Sequence, residues 1–179
     1  MRQQIRDEVN SICPLDDLER NNQSEVLAWI DSGAPLCRVQ KPAIPPKHLI
    51  SYFVLLDGDH LLLVDHINAQ LWLPTGGHVE EGEHPRTTVA REVVEELGIQ
   101  AQFLEDSPFF LTVTETVGLT AGHIDVSLWY LLKGNQQAKL KFDESEFYGV
   151  HWFHKHDVPL NKTDAQMQRF LTKLAQKTT

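Results

Sequence analysis

The chain has 179 residues and a net charge of −9, enough length for one domain with a real core plus an extension and too acidic for general binding to a nucleic-acid backbone. Its two cysteines, Cys13 and Cys37, form no Cys-x-x-Cys pair, and no zinc-like Cys/His spacing occurs. With no apolar signal core at the N-terminus and no membrane-length apolar run, a cytoplasmic setting with both thiols free is expected.

Residues 1 to 32 read as helical. Ile5, Val9 and Ile12 recur at helical spacing before Pro14 interrupts. Asp16 followed by Glu19 is a helix start with an acidic third residue, and Val26, Leu27 and Ile30 give an apolar stripe ending at Ser32-Gly33. The proline-bearing stretch 41–47 reads as an extended linker. Residues 1–43 are therefore expected to form an N-terminal helical extension, packed on the main domain or on a dimer partner. Residues 44–179 form the main domain.

From His48 the pattern changes to strands. His48–Leu56, Leu61–Val64 and Leu71–Leu73 are predicted strands, with Asp57-Gly58 as the hairpin signal between the first two. Gly76 and Gly77 are read as a sharp turn with exposed carbonyls. Further strands are expected at 100–104, 109–117, 123–132 and 148–153, and a C-terminal helix opens at Thr163-Asp164 with Met167, Phe170, Leu171 and Leu174 as its apolar face. Strands outnumber helices, with one helix between the strand groups. That pattern is a mixed sheet sandwiched by helices, an α/β fold.

The helix between the strand groups carries the chemistry. Residues 77–99 supply six acids and two arginines, −4 of the net charge. Pro85 suits a first helical turn and Gly98 a stop. At about 100° per residue, with Glu92 as zero, Glu95 falls near ~300° and Glu96 near ~40°. The three acids share one arc, with Arg91 at its edge near ~260°. Val89, Ala90, Val93, Val94 and Leu97 fill the other side as a broad apolar stripe. Like charges at these spacings repel, and they sit where the helix dipole disfavours them. A cation is the natural compensation. Clustered carboxylates prefer hard cations with oxygen ligands, Mg²⁺ or Mn²⁺ over zinc.

The fixed positions Gly77, Glu83, Arg91-Glu92-Val93, Glu95-Glu96 and Gly98-Ile99 resemble the Nudix box, and all nine of its specified positions match. The resemblance implies a Nudix-type α/β/α sandwich whose box forms a loop–helix–loop, and it implies hydrolysis of a diphosphate linkage in a nucleoside diphosphate derivative, with a nucleotide-cleaning role resembling the MutT group, nucleotide sugars, dinucleotide cofactors and dinucleoside polyphosphates all open. It assigns metal binding to Glu92, Glu95, Glu96 and the carbonyl of Gly76. It gives Arg91 the role of holding a metal-binding glutamate, and it places Glu83 in the loop near the metal. A general base in a later loop makes Glu144 the candidate, within Asp143-Glu144-Ser145-Glu146. The expected partner is a small-molecule substrate, with no polymeric nucleic acid and no membrane. A ligand sensor on the same fold is the alternative. A diphosphate isomerase is disfavoured because both cysteines precede the domain.

Other residues carry less. Glu115, His123 and Asp125 could line the cleft, and His66 or His78 could touch phosphate. His151 and His154 should point to opposite faces of a strand, against a metal site there. Trp72 and Trp129 are read as core.

Overall fold

The computed structural model describes residues 1–40, 44–116 and 122–177. The expected linker residues 41–43 and the end of the expected strand at Val117 lie outside them. The order of elements is α1 (Arg2–Ser11), α2 (Asp17–Asp31), β1 (Lys47–Asp57), β2 (His60–His66), β3 (Leu71–Leu73), β4 (Thr75–His78), α3 (Pro85–Leu97), β5 (Phe110–Glu115), β6 (Ile124–Lys133), β7 (Phe147–His154) and α4 (Met167–Lys177). A short 3-10 turn, Leu160–Lys162, precedes α4. The strands form one mixed seven-stranded sheet of order β3-β2-β1-β6-β5, with β4 paired to β1 and β7 to β2. The chain divides into two compact units, and β1, α3 and β6 each begin in the first and end in the second.

The first unit comprises residues 1–52, 76–89 and 105–130. Pro14 separates its two N-terminal helices. Ile5 and Val9 of α1 and Val26 and Ile30 of α2 are buried. Arg6 and Asp31 pair through two contacts of 2.7 and 3.0 Å. At the start of α2, Asp16 Oδ1 accepts from the Glu19 N–H at 2.8 Å and Glu19 Oε2 accepts from the Leu15 N–H at 2.6 Å. This is a capping box in all but the last partner. The other Glu19 oxygen accepts from the Leu111 N–H on β5 at 3.1 Å, and Glu19 is fully buried. One carboxylate thus ties the extension to the sheet. Glu8 of α1 adds a second tie, accepting from the Tyr130 hydroxyl at 3.2 Å. Burial pushes the Glu8 carboxyl above its ordinary range and the Tyr130 phenol well above its own.

β4 is a departure from the sequence reading. Thr75-Gly76-Gly77-His78 is a strand paired to β1, not a free turn. Glycine is needed at position 76 because the β1 backbone at Ser51 and Tyr52 passes close. β5 and β6 pair antiparallel from Phe110↔Trp129 to Glu115↔Ile124. Trp129 is fully buried and its Nε1–H donates to Thr112 Oγ1 at 3.0 Å, so this tryptophan is core as expected.

The second unit comprises residues 53–75, 90–104 and 131–177 of the described chain. The hairpin at Asp57-Gly58 forms as predicted, with Gly58 at φ +57° and Asp57 opposite His60. β2 pairs with β3 and along its length with β7. Trp72 on β3 is only partly buried, with Phe153 and His151 edge-on to it at 5.1 and 6.1 Å, so it is less a core residue than expected. The expected strand at 100–104 is absent. Phe103 alone bridges Leu132, flanked by hydrogen bonds from the Leu104 N–H to Leu131 and from the Lys133 N–H to Gln102. Ala101 and Phe103 are partly covered while Gln102 and Leu104 are exposed, but the ladder does not extend beyond the Phe103 bridge.

The segment before α4 follows the same logic. Asp164 Oδ1 accepts from the Gln166 N–H at 2.7 Å, and Met167 and Phe170 anchor the helix by burial. Burial raises the Asp164 carboxyl above its ordinary value, and the Gln166 bond offsets this in part. A raised carboxyl contributes most favourably when protonated, and its contribution falls as pH rises through the folded value. Asp164→Asn keeps the accepting oxygen and removes the charge. Its melting temperature is expected to exceed that of the unsubstituted chain at pH 7, with the gap closing below pH ~4. A gap that stays constant with pH would locate the effect elsewhere.

Candidate functional site

α3 forms where the sequence places it, from Pro85 to Leu97, and ends on Gly98 at φ +67°. Its buried face differs from the expected stripe. Val89, Val93 and Leu97 are fully buried, Val94 is 42% exposed, and Glu96 is only 7% exposed. With Glu92 at zero, the buried apolar arc runs from Val89 near ~60° to Leu97 near ~140°, with Glu96 near ~40° at its edge and Val94 near ~200° beyond it. Glu96 therefore lies at the margin of the apolar face.

The three acids are graded by this rotation. Glu96 is buried, the Glu92 side chain is 14% exposed, and that of Glu95 is 59% exposed. Arg91 Nη1 donates to Glu92 Oε1 at 2.7 Å and to Glu95 Oε2 at 3.3 Å, so one guanidinium serves two carboxylates. Burial raises the Glu92 carboxyl above its ordinary range, Arg91 opposes the rise, and the charges of Glu95 and Glu146 add to it. Loss of water is the largest of these effects, and each Arg91 effect exceeds either neighbouring charge. Covered carboxylates on one short helix, an all-oxygen donor set, suit a hard divalent cation.

The loop expected to carry a general base is fixed to the end of this helix. The Lys141 N–H donates to the Leu97 carbonyl at 3.2 Å and the Asp143 N–H to the Glu96 carbonyl at 3.1 Å. Asp143 Oδ1 accepts from the Ser145 N–H and hydroxyl at 2.8 and 2.6 Å, closing a turn. These bonds hold the Asp143 carboxyl below its usual range. Glu144 projects from the turn and is exposed. Glu146, which the sequence reading passed over, is the loop acid whose charge acts on Glu92.

Gly76 and Glu83 belong to the first unit. Glu83 Oε2 accepts from the Thr88 hydroxyl at 2.8 Å and from the Glu80 N–H at 3.2 Å. Its visible work is to brace the loop entering α3. Glu115 lies at the exposed end of β5.

Among the described residues, the one group of three or more metal-competent side chains drawn together is not on α3. It is His48, His78, His123 and Asp125, with one ligand atom of each within 4.8 Å of the others. All four lie in the first unit. The sequence reading placed His123 and Asp125 near the cleft and gave His78 a phosphate contact, but it did not join them to His48. Desolvation, with Arg38 and the neighbouring imidazoles, pushes His78 down to about 4. Among the described residues, no such group forms around His151, His154 and His156.

A mixed sheet and a short carboxylate-bearing helix, α3, are the frame of this candidate site. A NUDIX domain model matches residues 46–174, and the chain belongs to that family of hydrolases. No curated protein matches significantly by sequence. Solved structures share the fold. A NUDIX-family hydrolase from Clostridium perfringens aligns with TM-score 0.57 at 20% identity, covering 74% of this chain and 98% of its own. A MutT protein from Methanosarcina mazei Go1 aligns with TM-score 0.58 at 22% identity, covering 75% and 96%. The NUDIX domain of Shewanella oneidensis NrtR, complexed with ADP ribose, aligns with TM-score 0.57 at 20% identity, covering 73% and 88%.

No helix among the described residues is long and apolar enough to cross a membrane.

Proposed function

We propose that this chain hydrolyses a diphosphate linkage in a nucleoside diphosphate derivative, with Mg²⁺ or Mn²⁺ as the required cation. The observation that carries the reading is the intact motif on α3, whose Glu92 and Glu96 are drawn into cover while Arg91 pins Glu92 at 2.7 Å. Glu92 and Glu96 would hold the cation, with Glu95 as the exposed third acid. When bound, such a cation lowers the pKa of its water and neutralises phosphate charge. The residues of the chain supply the rest. Arg91 fixes the carboxylate orientation and limits repulsion between Glu92 and Glu95. A loop carboxylate takes the proton of the attacking water. Glu146 is exposed like Glu144, but its charge reaches Glu92, which makes it the candidate for that task.

The substrate class is read from the family and from the ADP ribose bound by the Shewanella relative. The test is a hydrolysis screen over ADP ribose, nucleotide sugars, dinucleoside polyphosphates and oxidised nucleoside triphosphates, with Mg²⁺, Mn²⁺ or chelator. The expected result is cation-dependent release of a monophosphate from at least one class. No turnover across all of them, with or without metal, would remove the assignment. On the substrate found, Glu146→Gln is expected to lower kcat by about 10²–10⁴ and flatten the acid limb of the pH profile, as loss of a general base does. Glu144→Gln should stay within a few-fold. The reverse order would return the role to Glu144.

A further inference from the structure

Three imidazoles and a carboxylate meet in the first unit, and the diphosphate chemistry above uses none of them. His48 lies near the start of β1 and His78 ends β4. His123 immediately precedes β6, and Asp125 follows two residues later on the same side of the strand. Backbone bonds fix these positions. The Ile124 N–H donates to the Pro45-adjacent carbonyl of Pro46 at 2.6 Å, and the Val79 N–H donates to the Leu49 carbonyl at 3.2 Å.

The ring orientations are informative. His48 is fully buried, and its Nδ1 lies 2.9 Å from the Pro45 carbonyl oxygen. A carbonyl only accepts, so Nδ1 carries the proton and a neutral ring leaves a lone pair on Nε2. At His123 the Thr116 hydroxyl lies 3.1 Å from both the His123 carbonyl oxygen and Nδ1. With the hydroxyl proton on the carbonyl, Nδ1–H donates to Thr116 Oγ1 and Nε2 keeps its lone pair, the tautomer a metal ligand needs. Both Nε2 atoms lie close to the same carboxylate oxygen. His48 Nε2 is 3.4 Å and His123 Nε2 is 3.3 Å from Asp125 Oδ1. His48 Nε2 and Asp125 Oδ1 are buried and make no hydrogen bond. The His48 ring stacks on that of His123 with centroids 5.1 Å apart and tilts against that of His78 at 5.0 Å.

Electron-rich atoms converging in a buried place call for positive charge, and Arg38, whose charge reaches His78 and Asp125, supplies some of it. We propose that His48, His78, His123 and Asp125 bind a transition-metal dication, Zn²⁺ by preference. Ligand bonds of about 2.1 Å around tetrahedral zinc put neighbouring ligand atoms about 3.4 Å apart. The two separations to Asp125 Oδ1 match that edge. The Pro45 carbonyl and Thr116 hydroxyl are the outer partners that fix ring orientation in metal-bound histidines. Imidazole-rich donors favour Zn²⁺ over Mg²⁺, so this site and the α3 carboxylates select different ions.

The test uses the full chain, stripped with chelator and then offered Zn²⁺ or, as a spectroscopic probe, Co²⁺. One equivalent of Zn²⁺ should survive gel filtration, and Co²⁺ should give the intense visible bands of a tetrahedral site. In ¹H–¹⁵N spectra of the histidine rings, Zn²⁺ should shift the ring-nitrogen signals of three of the nine histidines. Asp125→Asn and His78→Gln should each weaken Zn²⁺ binding about tenfold or more, whereas Glu92→Gln should leave it unchanged, which separates this site from the proposed catalytic one. No retained zinc, equal retention in both site variants, or an imidazolium of His48 or His123 bonded to Asp125 that Zn²⁺ does not displace would overturn the proposal. The ring spectra need no variant, so a substitution that fails to fold leaves the test intact.

Discussion

Replacing Glu96 by Gln is expected to lower kcat/KM at least ~100-fold, about 2.7 kcal/mol of transition-state stabilisation, while the chain still folds. The shape of the side chain is kept and only its charge is lost. Glu96 is 7% exposed at the margin of the apolar face of α3, one residue from the helix end. A negative charge there is opposed by burial and by the helix dipole, the latter by about 0.3–1 kcal/mol. Without divalent cation the variant should therefore melt no lower than the unsubstituted chain. With Mg²⁺ the order should reverse, because an ion bound only to the folded state stabilises it by RT ln(1 + [L]/Kd) and the variant binds it more weakly. Thermal melts with and without Mg²⁺ measure that crossing independently of any substrate. Glu95→Gln is the comparison. Its side chain is 59% exposed with a 3.3 Å contact to Arg91, so a smaller loss is expected. Equal activity in Glu96→Gln and the unsubstituted chain would remove the carboxylate from the reaction.

The limits of α3 were legible because its signals are local. Pro85 and Gly98 bracket it, and both act through the conformation of one residue. The same is true of Asp16 with Glu19, whose bonds close within four residues. The rotation of α3 about its own axis was not legible. Periodicity offered Val94 and Ala90 as buried, but a helix face is chosen by what packs against it. Here the choice hides Glu96 and exposes Val94. Hydropathy alone cannot anticipate a carboxylate preferred over a valine. The strand expected at 100–104 failed for a related reason, because one bridge at Phe103 is all that its neighbour offers.

The histidine cluster marks a different limit. His48, His78 and His123 are 30 and 45 residues apart along the chain, so no metal-ligand spacing exists to be read. Only His123-x-Asp125 carries a trace, since alternate residues of a strand share a face. The pairing of β4 with β1 brings His78 and His48 into the same neighbourhood. That pairing was hidden because two adjacent glycines read as a turn. The glycine pair that conceals β4 thus conceals the cluster as well.

Gly76→Ala tests that pairing and is expected to destabilise the chain by at least ~3 kcal/mol, beyond the usual cost of overpacking a core. At 2–4 °C per kcal/mol for a chain of this size, the melting temperature should fall by about 6–12 °C or more. Two effects combine. Gly76 has φ +150°, a conformation that residues with a Cβ rarely adopt. A Cβ built there would also lie 2.1 Å from the Ser51 carbonyl oxygen and 2.8 Å from the Tyr52 Cα. Both obstacles are backbone of β1, so no side-chain rotation relieves them. The Ser51 hydroxyl donates to the Pro85 carbonyl at 2.9 Å in a fully buried setting, which resists a shift of β1 at that point. β4 must then move away, and His78 at its end moves with it. The variant should lose Zn²⁺ retention together with stability, even where enough folded protein is recovered to measure. Gly58→Ala is the matched control. It also has a positive φ, +57°, but meets nothing within 4 Å, so only the conformational penalty of about 1 kcal/mol applies. If the two substitutions cost the same, close approach of β4 to β1 is not what requires glycine at position 76.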